Sequence, residues 1–184
     1  MNKLKYFLFS IILISAWPSF SQENIKPVKK EAVRSTMELR TELLNSKSAK
    51  YNLKPSSKSE PWAVIMDLGF PDGGSFSIVG LSDGNGSIYL SSGGGVIGGI
   101  SHNNVVIAAK NLVKYSEQYL PLTTKVDNYP LPKSNIVDFY IISDNGVHLA
   151  KGNVNNISSE KHELYGMFYL ANNLMTQLRT VAQQ

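Results

Sequence analysis

The residues best suited to chemistry form one glycine-rich stretch followed by polar residues. Five of the fourteen glycines fall within residues 93–99, and Ser101, His102 and Asn103 come directly after them. A helix is predicted to open at Ser101, a good N-cap residue. Free backbone N–H groups beside a helix N-terminus can hold a carboxylate, sulfate or phosphate. The sequence therefore predicts a ligand-binding site composed of Gly94, Gly95, Gly98, Gly99, Ser101, His102 and Asn103.

A structural explanation of the same glycines stays open beside this one. Small residues let a loop cross closely over a sheet, and Val96 and Ile97 would then fill the core beneath it. Five glycines in seven residues cost considerable backbone entropy. That cost is understandable where backbone lies against backbone, or where a ligand lies against backbone N–H groups.

Residues 93–98 (GGGVIG) also match the G-x-G-x-x-G pattern of dinucleotide-binding folds. In those folds the helix begins among the glycines, and a parallel strand ending in an acid follows. Here the predicted helix begins beyond the last glycine, and a proline-rich connection over residues 120–133 comes next. The phosphate-loop pattern is absent because no Gly-Lys-Ser/Thr occurs. We therefore expect no cofactor.

The alternative function is a small hydrolase in which His102 acts with a carboxylate at the mouth of the loop. Residues 99–103 (GISHN) nearly match a nucleophile elbow, but Asn103 stands where the final glycine belongs. A carboxylate pair for glycoside hydrolysis is left open, although nothing in the sequence selects one. Four aspartates are interpreted as residues in or beside turns: Asp67, Asp72, Asp83 and Asp144.

Metal and thiol chemistry are not indicated. His148 and His162 have no partner at metal-ligand spacing, and the chain has no cysteine. We expect no metal site and no disulfide. A lipid anchor at a signal cleavage site is excluded, since it requires a cysteine there.

The first 21 residues have the pattern of a cleavable secretory signal. Two lysines precede an apolar run over residues 7–17, and small residues at positions 19 and 21 stand before Gln22. The apolar run is too short to span a bilayer. We expect an exported protein, periplasmic or secreted, with no stable membrane insertion and no nucleic-acid partner.

The remaining chain divides into a basic arm, residues 22–60, and one α+β domain, residues 61–184. The arm has nine Lys or Arg against five Asp or Glu, whereas the domain has seven against nine. Within the arm, residues 31–46 predict an amphipathic helix and residues 47–61 a linker. Val33, Met37 and Leu44 form the apolar stripe of that helix. The stripe either docks on the sheet, the interpretation we adopt, or pairs with a partner.

The domain alternates between strand and helix patterns. Strands are predicted at 62–68, 75–81, 87–91, 135–142 and 147–151, and helices after residue 101 and at 159–181. Residues 144–146 (DNG) are a strong hairpin signal. The order α-βββ-α-ββ-α predicts a five-stranded antiparallel sheet with helices packed on its faces.

This order resembles profilin-like and roadblock-like domains over roughly residues 61–180, and that likeness rests on element order alone. Residues 87–99 (SIYLSSGGGVIGG) resemble a segment of an uncharacterised bacterial secreted family. Neither resemblance implies a chemistry. The function that the sequence favours is a non-enzymatic binding or interaction domain. Its ligand would be a small anion or a carboxylate of a partner protein.

Overall fold

The computed structural model of the chain describes residues 35–183. Within this range, one sheet of seven strands combines with four α helices in an α+β structure. The helices are α1 (Thr36–Leu44), α2 (Asn103–Ser116), α3 (Val154–Ile157) and α4 (Tyr165–Ala182). The strands are β1 (Ala63–Gly69), β2 (Ser75–Leu81), β3 (Gly86–Leu90), β4 (Gly95–Val96), β5 (Thr124–Val126), β6 (Ile136–Ser143) and β7 (Gly146–Asn153). The predicted signal peptide, residues 1–21, lies outside the described residues.

The prediction of a five-stranded sheet is wrong, because two further strands lie at its edges. The strand order is β4-β3-β2-β1-β6-β7-β5, and all neighbouring strands are antiparallel. The five inner strands are those that the sequence predicts. β4 has two residues and β5 has three, too few to show the alternation that identifies a strand in a sequence. They are strands because they pair with β3 and β7.

Helix α1 lies within the predicted helix 31–46, of which the structure describes residues 35–46. Ser35 closes a capping box, since its Oγ accepts the N–H of Glu38 at 3.2 Å while Glu38 Oε2 accepts the N–H of Ser35 at 2.9 Å. The helix ends at Leu44, two residues before the predicted end. Val33, which the sequence places on the docking stripe, lies outside the described residues.

Helices α2 and α4 pack on one face of the sheet, here called the two-helix face. Strand β2 has a glycine, Gly80, where it contacts both helices. A Cβ there would lie 3.3 Å from Leu174 of α4 and 3.4 Å from Leu112 of α2. Both leucines are fully buried. Each such side chain contributes about 1.5–3 kcal/mol when buried.

The opposite face, here called the α1 face, is covered by α1 and residues 47–62. Residues 47–61, interpreted above as a linker, include a 3₁₀ helix at Ser48–Tyr51 and bury Leu53. Tyr51 stacks on the buried Trp62 with ring centroids 5.7 Å apart. The buried apolar residues of this face are Leu43, Leu44, Leu53, Trp62, Ala63, Ile65, Val79, Leu81, Tyr89, Tyr140, Ile142, Val147 and Leu149.

Within residues 35–183, none of the helices is long and apolar enough to cross a membrane.

Candidate functional site: the glycine-rich loop and a buried carboxylate row

The glycine-rich stretch begins as the turn between β3 and β4. The N–H of Leu90 donates to the Gly94 carbonyl at 3.2 Å, and the N–H of Gly93 donates to the Leu90 carbonyl at 3.0 Å. Gly93 and Gly94 have φ of 95° and 80°, and nothing lies within 4 Å of a Cβ built on either. Backbone conformation, not crowding, therefore requires glycine at these two positions.

Two other glycines are required by crowding. A Cβ on Gly95 would overlap the backbone carbonyl oxygen of Ile88 on the paired strand β3. A Cβ on Gly99 would lie 2.6 Å from Val105 and 2.9 Å from Leu178. Gly95 and Gly99 thus have an architectural role, which leaves the ligand role of the loop open.

The apolar residues of the loop do not fill the core. Val96 is only half-buried, and Ile97 is 62 % exposed. Ile100 is 48 % exposed in the 3₁₀ helix Gly99–Ser101 that follows. The expectation that Val96 and Ile97 fill the core is wrong, because β4 lies at the sheet edge and leaves both residues partly or largely exposed.

The prediction that Ser101 caps α2 is also wrong. Ser101 belongs to the 3₁₀ helix, and α2 begins two residues later at Asn103 with His102 in the N-cap position. No side chain caps α2, and its first turn has no acidic residue. In the described chain, no hydrogen bond satisfies the N–H groups of Asn103, Asn104 and Val105. The free N–H groups at the start of this helix therefore begin at Asn103 and not at Ser101.

The structure brings most of the predicted site residues together. Gly98, Gly99, Ser101, His102 and Asn103 all lie in residues 98–103, from the N-cap of the 3₁₀ helix to the first residue of α2, whereas Gly94 and Gly95 lie at the other end of β4. Ser101 and Asn103 are exposed and His102 is half-buried. Within residues 35–183, His102 has no carboxylate partner, so the pair that the hydrolase alternative requires is not formed there.

The other two histidines make local contacts. His148 Nδ1 lies 3.1 Å from Thr123 Oγ1, and His162 Nδ1 accepts the N–H of Leu164 at 3.1 Å. No group of three or more His, Asp or Glu side chains suited to a metal ion occurs among the described residues.

A second polar cluster, which the sequence analysis missed, crosses the α1 face of the sheet. Cross-strand pairing puts Ser77 of β2 opposite Asp67 of β1, Asp67 opposite Asp138 of β6, and Asp138 opposite Lys151 of β7. We call these four residues the carboxylate row. Asp67 and Asp138 are both 0 % exposed. The interpretation of Asp67 as a residue beside a turn is wrong, since it lies inside the central strand.

Arg40 of α1 binds Asp67 of the carboxylate row. Its Nε and Nη2 both donate to Asp67 Oδ2, at 2.9 and 2.5 Å, and its Nη1 donates to the Tyr129 carbonyl at 3.1 Å. The guanidinium carbon lies 5.3 Å from the centroid of the Tyr140 ring, within range of a cation–π contact. Arg40 is itself 4 % exposed. This charge therefore holds α1 at one position on the sheet.

Burial raises the pKa of the Asp67 carboxyl above its ordinary value of 3.8, and the Arg40 guanidinium opposes that rise. The negative charge of Asp138 adds to the rise. Burial also raises the pKa of the Tyr140 phenol to about 12, together with the charges of Asp138 and Asp67. The phenol donates to the Pro130 carbonyl at 2.9 Å.

A third carboxylate ties residues 47–61 to the tip of the β6–β7 hairpin. Asp144 accepts the Ser48 N–H at 2.8 Å and the Ser48 hydroxyl at 2.7 Å. The backbone N–H of Ser48 is the main reason that the pKa of Asp144 lies below 3.8. Next to it, the N–H of Asn145 donates to the Lys58 carbonyl at 2.8 Å. The predicted turn at residues 144–146 is confirmed, and it also serves as an anchor.

One signal in the sequence could have revealed the carboxylate row. Asp67 interrupts the apolar run of β1, and Ala63, Ile65 and Asp67 share a face because alternate residues of a strand do. A charge buried at that position is costly unless a group of opposite charge pairs with it. The identity of that partner, Arg40, depends on how α1 packs and is not visible in the sequence.

Comparison of the chain with protein-family models, with curated proteins and with solved structures finds no match in any of the three. The resemblances of residues 87–99 and of the element order stay predictions, and function has to be argued from the site.

Proposed function

We propose that the protein is an exported, non-enzymatic binding domain that takes a carboxylate of a partner, with a flanking apolar side chain, at the glycine-rich loop. The observation that carries the proposal is the uncapped start of α2 beside two exposed isoleucines. The surface is formed by Ile97, Gly98, Ile100, His102 and Asn104, and we call it the loop surface.

The charge of the loop surface supports an anionic ligand. Three backbone N–H groups at the start of a 14-residue helix lack acceptors in the described chain, and no acidic residue stands in the first turn. The positive end of the helix dipole adds to these donors. A carboxylate is the protein group that satisfies both.

The apolar part of the loop surface supports a protein or peptide ligand over a free ion. Ile97 and Ile100 are 62 % and 48 % exposed and stand on either side of Gly98 in the chain. Burying them against a partner would contribute about 25 cal/mol for each Å² removed from water. β4 is also an edge strand, beside which an extended segment can pair. A partner with a terminal carboxylate next to an apolar residue fits all three features.

The test uses a random heptapeptide array with free C-terminal carboxylates and the same array with amidated C-termini. We expect binding to the free acids and at least tenfold weaker binding to the amides. Equal binding to both arrays would contradict the carboxylate part of the proposal.

A charge variant tests the position of the site. Asn104→Asp puts an acid in the first turn of α2, which stabilises the helix by about 0.3–1 kcal/mol. It should nevertheless weaken binding, because the new carboxylate competes for the same N–H groups. Asn104→Gln is the neutral control. Peptide binding that survives Asn104→Asp would place the ligand elsewhere.

The export part of the proposal is tested separately. The pattern of residues 1–21 predicts that the mature chain begins at Gln22, which intact-mass measurement of the exported protein checks directly. A protein recovered only with residues 1–21 attached would contradict it.

A further inference from the structure

The carboxylate row contains two buried acids in direct opposition. Asp67 of β1 and Asp138 of β6 are paired residues on adjacent antiparallel strands, and both side chains lie on the α1 face. Directly opposed residues of such strands have Cβ atoms about 4.5–5.5 Å apart. Both residues are 0 % exposed, so solvent does not separate their charges.

Each of the two acids binds its cation through one oxygen. Asp67 Oδ2 accepts from Arg40, and Asp138 Oδ2 accepts from Lys151 Nζ at 2.7 Å. Asp67 Oδ1 and Asp138 Oδ1 are buried and have no partner within hydrogen-bond distance in the part of the chain that the structure describes, and the same holds for the Ser77 hydroxyl opposite Asp67. The interaction of that hydroxyl with Asp67 lowers the pKa of the carboxyl, against the effect of burial. A carboxylate oxygen can only accept, so two such oxygens cannot satisfy one another without a hydrogen between them.

The buried charges around the pair do not balance. The side chains of Asp67 and Asp138 are 0 % and 1 % exposed, and that of Arg40 is 5 % exposed. The Lys151 side chain is 55 % exposed, so water screens much of its charge. Two buried carboxyls thus have one buried cation, Arg40, because the second cation, Lys151, pairs with Asp138 from a side chain that is half in solvent. A buried carboxylate without a buried cation lowers its free energy by taking up a proton.

We propose that Asp67 and Asp138 share one proton between their Oδ1 atoms, so that the folded protein carries a single negative charge at this pair at neutral pH. One carboxyl donates to the other, and both unpartnered oxygens are satisfied by the same hydrogen bond. The groups that face the pair are Arg40 from α1, Tyr140 from β6 and Lys151 from β7, with the neutral hydroxyl of Ser77 from β2.

The shared proton links folding to pH. The unfolded chain releases this proton near pH 3.8, whereas the folded chain keeps it above that pH. The folded state then binds one proton more than the unfolded state, so stability falls as pH rises through this window. The folding equilibrium constant decreases up to tenfold for each pH unit there.

The direct test is the carboxyl carbon signal of each aspartate in protein labelled with ¹³C-aspartate, followed over pH. We expect the signals of Asp67 and Asp138 to show that one proton remains on the pair above pH 3.8, the ordinary pKa of an aspartate. If both signals show full ionisation at neutral pH, the proposal is overturned. This measurement needs no variant and therefore does not depend on the folding of one.

A matched pair of variants tests the linkage. Asp138→Asn keeps the shape of a protonated acid and donates an N–H to Asp67, so its folding constant should lose the pH dependence of the wild type above pH 3.8. Lys151→Gln keeps both acids and should retain that dependence. Urea unfolding at a series of pH values measures both.

Unchanged pH dependence in Asp138→Asn would overturn the proposal. A stability that depends on sodium or potassium, compared with choline at equal ionic strength, would overturn it in favour of a bound cation. An ordered water bridging the two Oδ1 atoms in a high-resolution crystal structure, with both acids ionised, would also overturn it.

Discussion

The two faces of the sheet are covered in different ways. On the two-helix face, α2 and α4 pack through apolar side chains such as Leu112 and Leu174, with glycine at the closest approach. On the α1 face, the apolar cluster covers one part of the sheet and the carboxylate row crosses another. There α1 is held by a buried ion pair, and residues 47–61 are held by hydrogen bonds to a hairpin tip.

This difference separates stability from positioning. Apolar burial contributes free energy without direction, whereas a guanidinium that binds one carboxylate fixes a single position. A buried ion pair adds little net stability, since the desolvation of its charges offsets their attraction. Its loss is costly all the same, because the remaining charge is left buried and unpaired. We therefore expect the two faces to respond differently to substitution.

The largest effect is expected from Arg40→Ala, which leaves Asp67 without its cation. The free energy of unfolding should fall by about 3–5 kcal/mol. The double variant Arg40→Met, Asp67→Leu replaces the pair with apolar groups and should recover most of that loss. Urea unfolding of both singles and the double measures this. A double variant no more stable than Arg40→Ala would show that the pair contributes more than positioning.

Leu174→Ala on the two-helix face is expected to cost about 2–5 kcal/mol, since Leu174 is fully buried against β2. This substitution should destabilise the whole domain and not one element alone. Hydrogen exchange should accelerate at α2, α4 and the inner strands together, whereas Arg40→Ala should accelerate it first in α1. Equal acceleration of all elements in both variants would remove the distinction between the faces.

A smaller effect is expected from Ser35→Ala, which removes one half of the α1 capping box. Such substitutions cost about 0.5–2 kcal/mol. The change should appear as faster exchange in the first turn of α1, with the amides of α2 and α4 unaffected. Ser35→Asp is the control, because aspartate also accepts the Glu38 N–H and should keep the wild-type rate.

The smallest effect concerns the pH dependence of the anchor at Asp144. Its lowered pKa means that the anchor contributes stability above pH 3.8 and loses it as the pH falls below that value. The Ser48 amide should therefore lose protection from exchange in acid. Asp144→Asn should show weaker but pH-independent protection there. This window lies below pH 3.8 and that of Asp67 lies above it, so the two carboxyls can be distinguished in one titration.

The inner strands were predictable because their patterns are local. Ser75–Leu81 has the predicted bounds, and the DNG turn at residues 144–146 joins β6 and β7 as expected. The start of α2 was placed two residues early, because Ser101 is a good cap in isolation. A 3₁₀ helix at Gly99–Ser101 takes the place of the predicted first turn of α2. Gly99 of that 3₁₀ helix lies against Val105 and Leu178, and the contact with Leu178 depends on how α4 packs.

The sequence by itself determined the class of the fold and the five inner strands, because the alternation of apolar residues and the turn residues act over a few positions. It also indicated a glycine-rich loop followed by a helix start, since these are local features, but it placed Ile97 in the core. Tertiary structure alone decided the edge strands β4 and β5, which are held by pairing rather than by their own residues. It also decided the carboxylate row, because Arg40, Asp67 and Asp138 come from α1, β1 and β6. A charge so far from its partner along the chain finds that partner only when the sheet and its covering helix assemble.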